Sequence, residues 1–287
     1  MIDIHTHLGQ WGGAPEPRVT EEELLRRMEA LGIEKAVILP MGMTPESFMF
    51  GFDTDDAVDA YRRRPDRFIP FCNLDPRANH SPETDFSLVL GEWKAAGCKG
   101  LGELTANLPV DDPMCLNLYR QCGEFGFPII FHLAEAVRHG LYGIADEVGM
   151  PRLERVVRGY PNTTIIAHAQ AFWAEIAAEV EEGLRSSYPT GPVTAPGRAV
   201  ELIKRYPNLY GDLSAASGFN AISRDPEFGY RFLEDGQDKL LFGTDICHVN
   251  QEVPIVPYLK EAVATGKITE TCYRKITREN AERVLGL

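Results

Sequence analysis

Residues 2–7 read IDIHTH, a short apolar run that closes on two histidines. Nearly continuous apolar runs of this length are typical of strands buried on both faces of a parallel sheet. Seven further runs follow, at residues 36–40, 68–74, 98–104, 128–133, 163–169, 209–214 and 239–245. The first residues of successive runs are 34, 32, 30, 30, 35, 46 and 30 positions apart. One β-α-β unit needs about 30 residues, so the sequence predicts eight β-α units in succession.

Eight such units favour an α/β protein with the (β/α)8 or TIM-barrel fold. A barrel of this kind uses about 250 residues, which accounts for most of the 287 residues of the chain. An open doubly wound sheet is less favoured, because the sequence lacks a glycine-rich phosphate turn after its first strand. Since no linker or change in composition divides the chain, we expect a single domain over residues 1–287.

The one long interval, of 46 residues, follows the sixth predicted strand and contains residues 183–198. This segment is rich in Pro, Gly and Ser, which indicates a loop inserted into the barrel. Two arrangements are open at this point. The loop either covers the mouth of the barrel beyond the sixth strand or forms an excursion on the protein surface.

Composition and charge exclude several classes of protein. The chain carries 29 Lys and Arg against 42 Asp and Glu, a formal net charge of −13, which disfavours nucleic acids and anionic membranes as partners. It has no apolar run of about 18 residues that would predict a transmembrane helix, and residues 1–10 lack the features of a secretory signal. The six cysteines form no CxxC pair and indicate reduced thiols. We therefore expect a cytoplasmic protein.

Histidines and carboxylates follow several predicted strands at the point where each strand ends. In a (β/α)8 barrel these carboxyl ends form the catalytic face. Residues two apart on a strand point to the same side, so His5 and His7 can both face the barrel mouth. A lone histidine on an apolar strand is more often a buried core residue, but four of the seven histidines fall at the ends of three predicted strands.

This set of side chains predicts a site for a divalent metal. Imidazole nitrogens and carboxylate oxygens together suit Zn²⁺, Mn²⁺, Fe²⁺ or Co²⁺. The candidate ligands are His5, His7, His132, His168 and Asp245, and Glu103 stands at the end of the fourth predicted strand.

The same residues carry a resemblance to a known group of enzymes. The IDIHTH stretch, Phe131-His132, Ala167-His168 and the LFGTD stretch at residues 241–245 resemble the amidohydrolase superfamily. Residues 208–214 and 279–287 are similar to the seventh strand and the closing helix of its amidohydrolase-related branch. The resemblance implies a metal-dependent hydrolase built on a barrel that binds one or two divalent ions, with zinc expected first and manganese as the alternative.

The resemblance also implies roles for individual residues. His5, His7, His132 and Asp245 correspond to metal ligands, and His168 to a ligand of a second ion or a residue that orients substrate and water. Many members bridge two metals through a carbamylated lysine on the fourth strand, where this chain has a glutamate, Glu103. That glutamate is similar to the metal-binding one of the TatD-like deoxyribonuclease branch. The alternative is a carboxylate of the barrel mouth paired with a cation or an amide.

A catalytic hypothesis follows from this cluster. A divalent metal lowers the pKa of its bound water toward about 7. Asp245 acts as the general base and returns the proton to the leaving group, while the metal or His168 polarises the scissile carbonyl. Hydrolysis of a small, carboxylated ester, lactone or amide is the leading expectation. The alternatives are non-oxidative decarboxylation of an aromatic or unsaturated carboxylate, a non-catalytic metal-binding protein, and a nuclease.

Four residues near the predicted strand ends are candidate substrate contacts. Trp11, Phe172 and Trp173 can pack against a ring or a hydrocarbon body, although core packing explains each of them equally well. Arg138 lies six residues beyond His132 and can bind a carboxylate through two hydrogen bonds, or it is a solvated charge. The expected partner is therefore a small organic acid derivative, and a homo-oligomer is left open.

Overall fold

The computed structural model describes residues 1–10, 17–47, 50–137, 142–180 and 183–287. Within them the strands are β1 Ile2–Thr6, β2 Lys35–Ile38, β3 Phe68–Pro70, β4 Leu101–Leu104, β5 Ile129–Ala134, β6 Ile144–Ala145, β7 Ile165–His168, β8 Leu209–Asp212 and β9 Leu240–Leu241. Eight of these match the eight predicted runs in order. The two-residue β6 is an addition that the sequence did not predict, so the sixth, seventh and eighth predicted strands are β7, β8 and β9.

All paired strands run parallel. β1, β2 and β3 form one sheet, and β4, β5, β7, β8 and β9 form a second, with β6 attached to the end of β5. Two bridges join the sheets at their edges, Cys72 with Leu101 and Thr6 with Ile246. Eight parallel strands therefore close into a barrel within the described residues, which confirms the predicted (β/α)8 fold. Closure brings the carboxyl ends of these strands to one face.

Helices occupy the connections between the strands. The described chain contains α1 Glu21–Leu31, α2 Thr54–Arg63, α3 Ser87–Ala96, α4 Pro113–Phe125, α5 Pro151–Gly159, α6 Gln170–Trp173, α7 Arg198–Arg205, α8 Ala215–Ser223, α9 Pro226–Asp235, α10 Ile255–Ala264, α11 Glu270–Arg274 and α12 Asn280–Leu285. Thr20 accepts a hydrogen bond from the Glu23 amide at 3.2 Å and so caps α1, while Gly32 ends that helix with a φ of 77°. Local chemistry thus sets the ends of this helix.

None of the described helices is long and apolar enough to cross a membrane. The six cysteines are free thiols, and all except the partly exposed Cys247 are buried. Buried thiols of this kind pack as small apolar side chains.

Apolar side chains form two layers, one on each side of the strands. The outer layer lies between strands and helices and includes Ile129 of β5 and Ile165 of β7. The inner layer fills the barrel and includes Ile130 and Ile166. Because alternate residues of a strand point to opposite faces, the next inward residue on β7 is His168. The inner apolar layer therefore leads directly into the polar residues at the strand ends.

The last helix closes the other end of the barrel. Ala281 and Leu285 of α12 belong to the inner apolar cluster. Lys99, just before β4, has its Nζ 3.4 Å from the carbonyl oxygen of Gly286. The helix therefore packs at the amino ends of the strands, opposite the polar face.

The long connection after β7 reaches the barrel mouth. Arg185 within it is only 1% exposed; its guanidinium lies 2.8 Å from the Glu175 carboxylate and donates to the Ala171 carbonyl at 3.1 Å. Beyond this anchor, Tyr188 lines one cavity together with Asp245. Of the two arrangements open for residues 183–198, the structure therefore favours the one at the mouth.

Candidate metal centre

The side chains of His5 and His7 converge, with their Nε2 atoms 3.1 Å apart. Each ring is anchored through Nδ1, His5 on the Asp212 carboxylate at 2.6 Å and His7 on the Leu39 carbonyl at 3.0 Å. Since a carbonyl oxygen only accepts, Nδ1 of His7 carries a proton, and Nε2 of the neutral ring presents a lone pair. When His5 is neutral, the Asp212 carboxylate likewise holds the proton on Nδ1 and leaves Nε2 with a lone pair. Anchoring of this kind at the second ring nitrogen is typical of metal-binding histidines.

Two carboxylates complete the convergence. Asp245 Oδ1 lies 3.5 Å from His5 Nε2 and 3.3 Å from His7 Nε2. Glu103 Oε2 lies 3.7 Å and 3.6 Å from the same two atoms. When the rings are neutral, all four atoms are acceptors, and acceptors that meet away from water need a shared cation. The nitrogen and oxygen donors therefore fit a divalent transition metal or zinc.

The protonation of these groups depends on their neighbours. Burial by itself lowers the pKa of His5, but the Asp212 and Asp245 carboxylates outweigh it and raise that pKa well above its ordinary value. Burial by itself raises the pKa of Asp245 and of Glu103, and the nearby histidines outweigh it and lower both. Without a metal, the positive charge that keeps these carboxylates ionised is a proton shared among the histidines, chiefly on His5. A bound cation would take the place of that proton and leave the His5 ring neutral.

His168, at the end of β7, joins the centre through Ser214. Its Nδ1 lies 2.9 Å from Ser214 Oγ, which donates to Asp212 Oδ2 at 2.9 Å. Since the single hydroxyl proton is used there, Nδ1 of His168 is the donor, and Nε2 presents a lone pair 3.9 Å from Glu103 Oε1. Burial lowers the pKa of His168 to about 4, so the ring is neutral at neutral pH.

Within the described chain, two groups of three residues place their ligand atoms close enough together to bind a metal ion. His5, His7 and Asp245 form the first group, and His5, Glu103 and His168 form the second. Both groups use His5, whose other nitrogen is engaged with a carboxylate. The structure thus gathers five of the six predicted ligands around His5.

The sixth predicted ligand, His132, contacts Glu103 and not His5. Its Nδ1 is 2.6 Å from Glu103 Oε1, and its ring packs against the Tyr142 ring at a centroid distance of 4.5 Å. It belongs to neither of the two groups. As placed, His132 reaches the centre through Glu103, and its assignment as a direct ligand stays a prediction.

Asp212 and Ser214 contact the predicted ligands His5 and His168, and the sequence did not predict them as site residues. The Asp212 carboxylate is fully buried and accepts a hydrogen bond from the Ser214 backbone N–H at 2.9 Å. It also contacts the His5 ring and accepts from the Ser214 hydroxyl. The available signal was the one that identified the histidines, because Asp212 ends β8 as His168 ends β7. An aspartate at a strand end is ambiguous alone, and only the 2.6 Å contact with His5 reveals its role.

The backbone of Asp245 has a left-handed conformation, with a φ of 56°, and three side chains stabilise the turn that contains it. Asp3 accepts from the Thr244 amide at 3.0 Å and the Thr244 hydroxyl at 2.6 Å. Gln251 donates to the Asp245 carbonyl at 2.6 Å. Arg27 of α1 donates to the carbonyls of residues 248 and 249, both at 2.9 Å. Such over-determined bonding maintains an unfavourable backbone conformation at a functional site.

Two predicted substrate contacts need correction. Phe172 is 0% and Trp173 2% exposed, so both lie in the apolar core, where their rings pack at 4.9 Å. Trp173 Nε1 donates to the Asp212 carbonyl at 2.7 Å, which makes it a support of β8. The physical reason is the local fold, because α6 starts two residues after His168 and places both rings in the outer apolar layer between strands and helices. The other two candidates, Trp11 and Arg138, lie outside the described residues.

One cavity opens directly beside the cluster. It has a volume of about 560 Å³ and is lined by Asp245 together with residues of the connections that follow β7, β8 and β9. This volume lies within the range of typical small-molecule sites. A second cavity of about 360 Å³, between Glu135 and Arg185, is lined by none of the six predicted ligands. Of these two cavities, the first is therefore the one from which a small molecule can contact Asp245.

Solved structures of similar fold are known. One is an amidohydrolase from Burkholderia multivorans with bound zinc, at a TM-score of 0.64 and 14% identity over 100% of this chain and 99% of that chain. A probable 2-pyrone-4,6-dicarboxylic acid hydrolase from Acinetobacter baumannii with citric acid bound has a TM-score of 0.61 and 13% identity, over 100% and 99%. A 2,6-dihydroxybenzoate decarboxylase from Rhizobium has a TM-score of 0.62 and 15% identity, over 99% of this chain and 98% of that chain. At these identities the likeness concerns the fold.

No curated protein sequence matches the chain significantly. A sequence model of the family described as amidohydrolase, however, matches residues 2–287. That match covers every residue of the metal-ligand cluster. The chain therefore belongs to the amidohydrolase family and is a divalent-metal-dependent enzyme.

Proposed function

We propose that the protein hydrolyses a small organic acid derivative, an ester, a lactone or an amide, at this metal centre. The observation that carries the proposal is the double position of Asp245, which borders the ligand cluster and also lines the cavity. Its side chain is 19% exposed, the most accessible carboxylate of the cluster. A divalent ion bound there supplies Lewis acidity and an activated water at neutral pH.

The residues of this chain divide the remaining work. The ionised Asp245 accepts the proton of the attacking water and returns it to the leaving group. His5 and His7 are anchored at Nδ1 and keep their Nε2 lone pairs directed at the centre. Neutral His168 presents a lone pair at Nε2 and cannot donate a hydrogen bond to a carbonyl from that atom. This favours a ligand or water-orienting role for His168 over polarisation of the scissile carbonyl.

Zinc is the proposed metal, with manganese as the alternative. Histidine nitrogens and carboxylate oxygens are the usual donors of catalytic zinc, and the similarly folded amidohydrolase from Burkholderia multivorans contains bound zinc. Elemental analysis of the purified protein, followed by removal of the metal and reconstitution with each ion, tests this assignment. Activity restored by manganese alone would contradict it.

Decarboxylation is the second candidate function. It is favoured by the similarly folded 2,6-dihydroxybenzoate decarboxylase and by the aromatic rings of Tyr188 and Phe219 in the cavity wall. In that reaction a protonating acid replaces the attacking water, and Asp245 is the group in position to deliver the proton to carbon. The two candidates thus use the same residue in different protonation states.

A paired substrate screen decides between them. Lactones and esters of small organic acids are tested beside aromatic carboxylates, with ring opening followed by absorbance and carbon dioxide release followed by gas analysis. We expect turnover of at least one lactone or ester that is lost on chelation and restored by metal. Carbon dioxide release without any hydrolysis would replace the first proposal by the second.

A further inference from the structure

The cavity beside Asp245 is lined in part by apolar side chains, which together are called its apolar wall. Tyr188 from the connection after β7, Phe219 from α8 and Ile255 at the start of α10 contribute to the lining. Phe219 is supported from behind, because its ring meets the Tyr258 ring edge-on at a centroid distance of 5.6 Å. The wall is therefore a preformed surface suited to a ring or a branched hydrocarbon.

Tyr188 borders the cavity from the long connection after β7. Its hydroxyl lies 3.1 Å from Gln170 Nε2, two residues beyond His168. The connection is itself anchored by the buried ion pair of Arg185 with Glu175. The insertion that the sequence marked as a loop thus supplies one side of the cavity.

The charges around this cavity are of one sign. Among the described residues that line it, Asp245 and Glu252 carry formal charge, and both are acidic; neither lysine nor arginine is part of that lining. A carboxylate at the Glu252 end, away from the metal centre, would meet like charge, with no lysine or arginine among the described lining residues to compensate it, which costs affinity. A neutral group meets no such penalty.

We propose that this cavity binds an uncharged aromatic or branched-alkyl part of the substrate, and that Glu252 disfavours substrates that carry a second carboxylate at that end. The inference rests on the proposed function in one respect, that the reacting group of the substrate lies at the metal centre. Phe219 and Tyr188 are then specificity-determining residues that bind the uncharged body, and the substrate is an organic acid derivative with its polar end at the metal and its apolar end here.

The test is a binding measurement on the zinc-loaded full chain, so that it does not depend on turnover. Three zinc-directed ligands are compared by calorimetry: acetohydroxamate, benzohydroxamate and 4-carboxybenzohydroxamate. We expect benzohydroxamate to bind about tenfold or more tightly than acetohydroxamate, because its ring is buried on the apolar wall. The 4-carboxy compound should bind about two- to fivefold more weakly than benzohydroxamate, because Glu252 repels it from an exposed position where solvent screens the charge.

Two variants locate the effect. Phe219→Ala should remove most of the advantage of benzohydroxamate and leave the affinity of acetohydroxamate unchanged, which also shows that the metal centre is intact. Glu252→Lys should bring the 4-carboxy compound to the affinity of benzohydroxamate or above it. Glu261→Lys is the matched control, since it makes the same change of charge at an exposed position of α10 that does not line the cavity.

Two results would overturn the proposal. One is equal affinity for acetohydroxamate and benzohydroxamate in the unaltered protein, and the other is a 4-carboxy compound that binds as tightly as benzohydroxamate. Failure of the proposed hydrolysis looks different, because ligand preference would persist while no substrate turned over. If none of the three ligands bound the zinc-loaded protein, the reacting group would not lie at the metal, and both proposals would be wrong.

Discussion

The two ends of the barrel interior are equally buried but are built from opposite chemistry. Toward the amino ends of the strands, Ile130 and Ile166 belong to the same buried apolar cluster as Leu285 of the last helix. At the carboxyl ends, His5 and Glu103 are 0% and 3% exposed. Along β7, Ile166 lies only two positions before His168, which ends the strand. Burial alone therefore says little about what a residue contributes.

The difference lies in what burial does to the free energy. Apolar side chains gain stability when they leave water, so the amino end stabilises the fold by itself. Acceptors such as Asp245 and the ring nitrogens of His5 and His7 lose hydration and need a positive partner. The stability that the polar end contributes to the fold thus depends on a bound cation, and the following predictions test this contrast.

The largest effect is expected for Asp245→Asn, which alters the polar end with minimal change of shape. Loss of the base should lower turnover by about 10²–10⁴-fold, while the metal content stays above half that of the unaltered protein. Steady-state kinetics and elemental analysis on the same sample measure both. Asp59→Asn, at a position 57% exposed on α2, is the control and should change neither. Full activity in Asp245→Asn would rule out the general-base role.

The apolar end is tested by Ile166→Ala. Because the side chain is fully buried in the inner cluster, its truncation should lower the free energy of unfolding by about 2–5 kcal/mol. Denaturant unfolding of the metal-loaded protein gives this value, and metal stoichiometry should not change. Val148→Ala, at a position 41% exposed, is the matched control. A loss no greater than in that control would contradict the assignment of Ile166 to the structural core.

Removal of the metal should destabilise only the polar end. If the ion is present at about 100 times its dissociation constant, its loss lowers the unfolding free energy by about 2.7 kcal/mol. Thermal unfolding with and without a chelator measures the shift. The Ile166→Ala variant should lose a similar further amount, because the truncation removes none of the ligand atoms. A chelator without effect on either protein would argue against a metal in this cluster.

Asp212→Asn tests the residue that orients His5. Loss of the carboxylate charge behind a ligand should lower metal affinity by about 10–100-fold, as measured by competition with a chromogenic chelator. The fold should persist, since the side-chain amide oxygen of the variant can still accept the hydrogen bond from the Ser214 backbone N–H. Asp238→Asn, at a position 64% exposed, controls for the change of charge. Unaltered affinity would mean that Asp212 serves the backbone of β8 rather than the metal.

The smallest effect is expected for Trp173→Phe, which removes the hydrogen bond to the Asp212 carbonyl. One buried carbonyl then lacks its donor, so the unfolding free energy should fall by about 1–3 kcal/mol. KM should stay within about twofold of its original value, because the ring does not line the cavity. A large rise in KM with no change in stability would restore the substrate role that the structure has corrected.

The barrel was predictable from sequence because its signal is local. A run such as residues 128–133 is apolar on both faces, and the spacing of the eight runs leaves room for one helix in each connection. The same logic placed His5, His7 and Asp245 at strand ends. It did not find β6 because two residues, Ile144 and Ala145, are too few to form a pattern.

The partners of the site could not be predicted, because contacts between distant residues have no local signature. His5 and Asp212 are 207 positions apart and meet at 2.6 Å only when the barrel closes. Phe172 and Trp173 illustrate the opposite error, since aromatic residues after a strand end look like substrate contacts until the helix that contains them turns inward. Hydrophobicity alone does not distinguish a core ring from a pocket ring.

By itself, the sequence determined the barrel, the family and the identity of the side chains at the carboxyl ends of the strands. It could do so because strand burial and residue alternation depend on neighbours along the chain. The tertiary structure alone decided which ring nitrogens are anchored, that Asp212 and Ser214 stand behind His5 and His168, and that the cavity beside Asp245 is apolar and acidic. These properties depend on distances across the closed barrel, where the electrostatic field at each atom sums the charges of residues that are far apart in sequence.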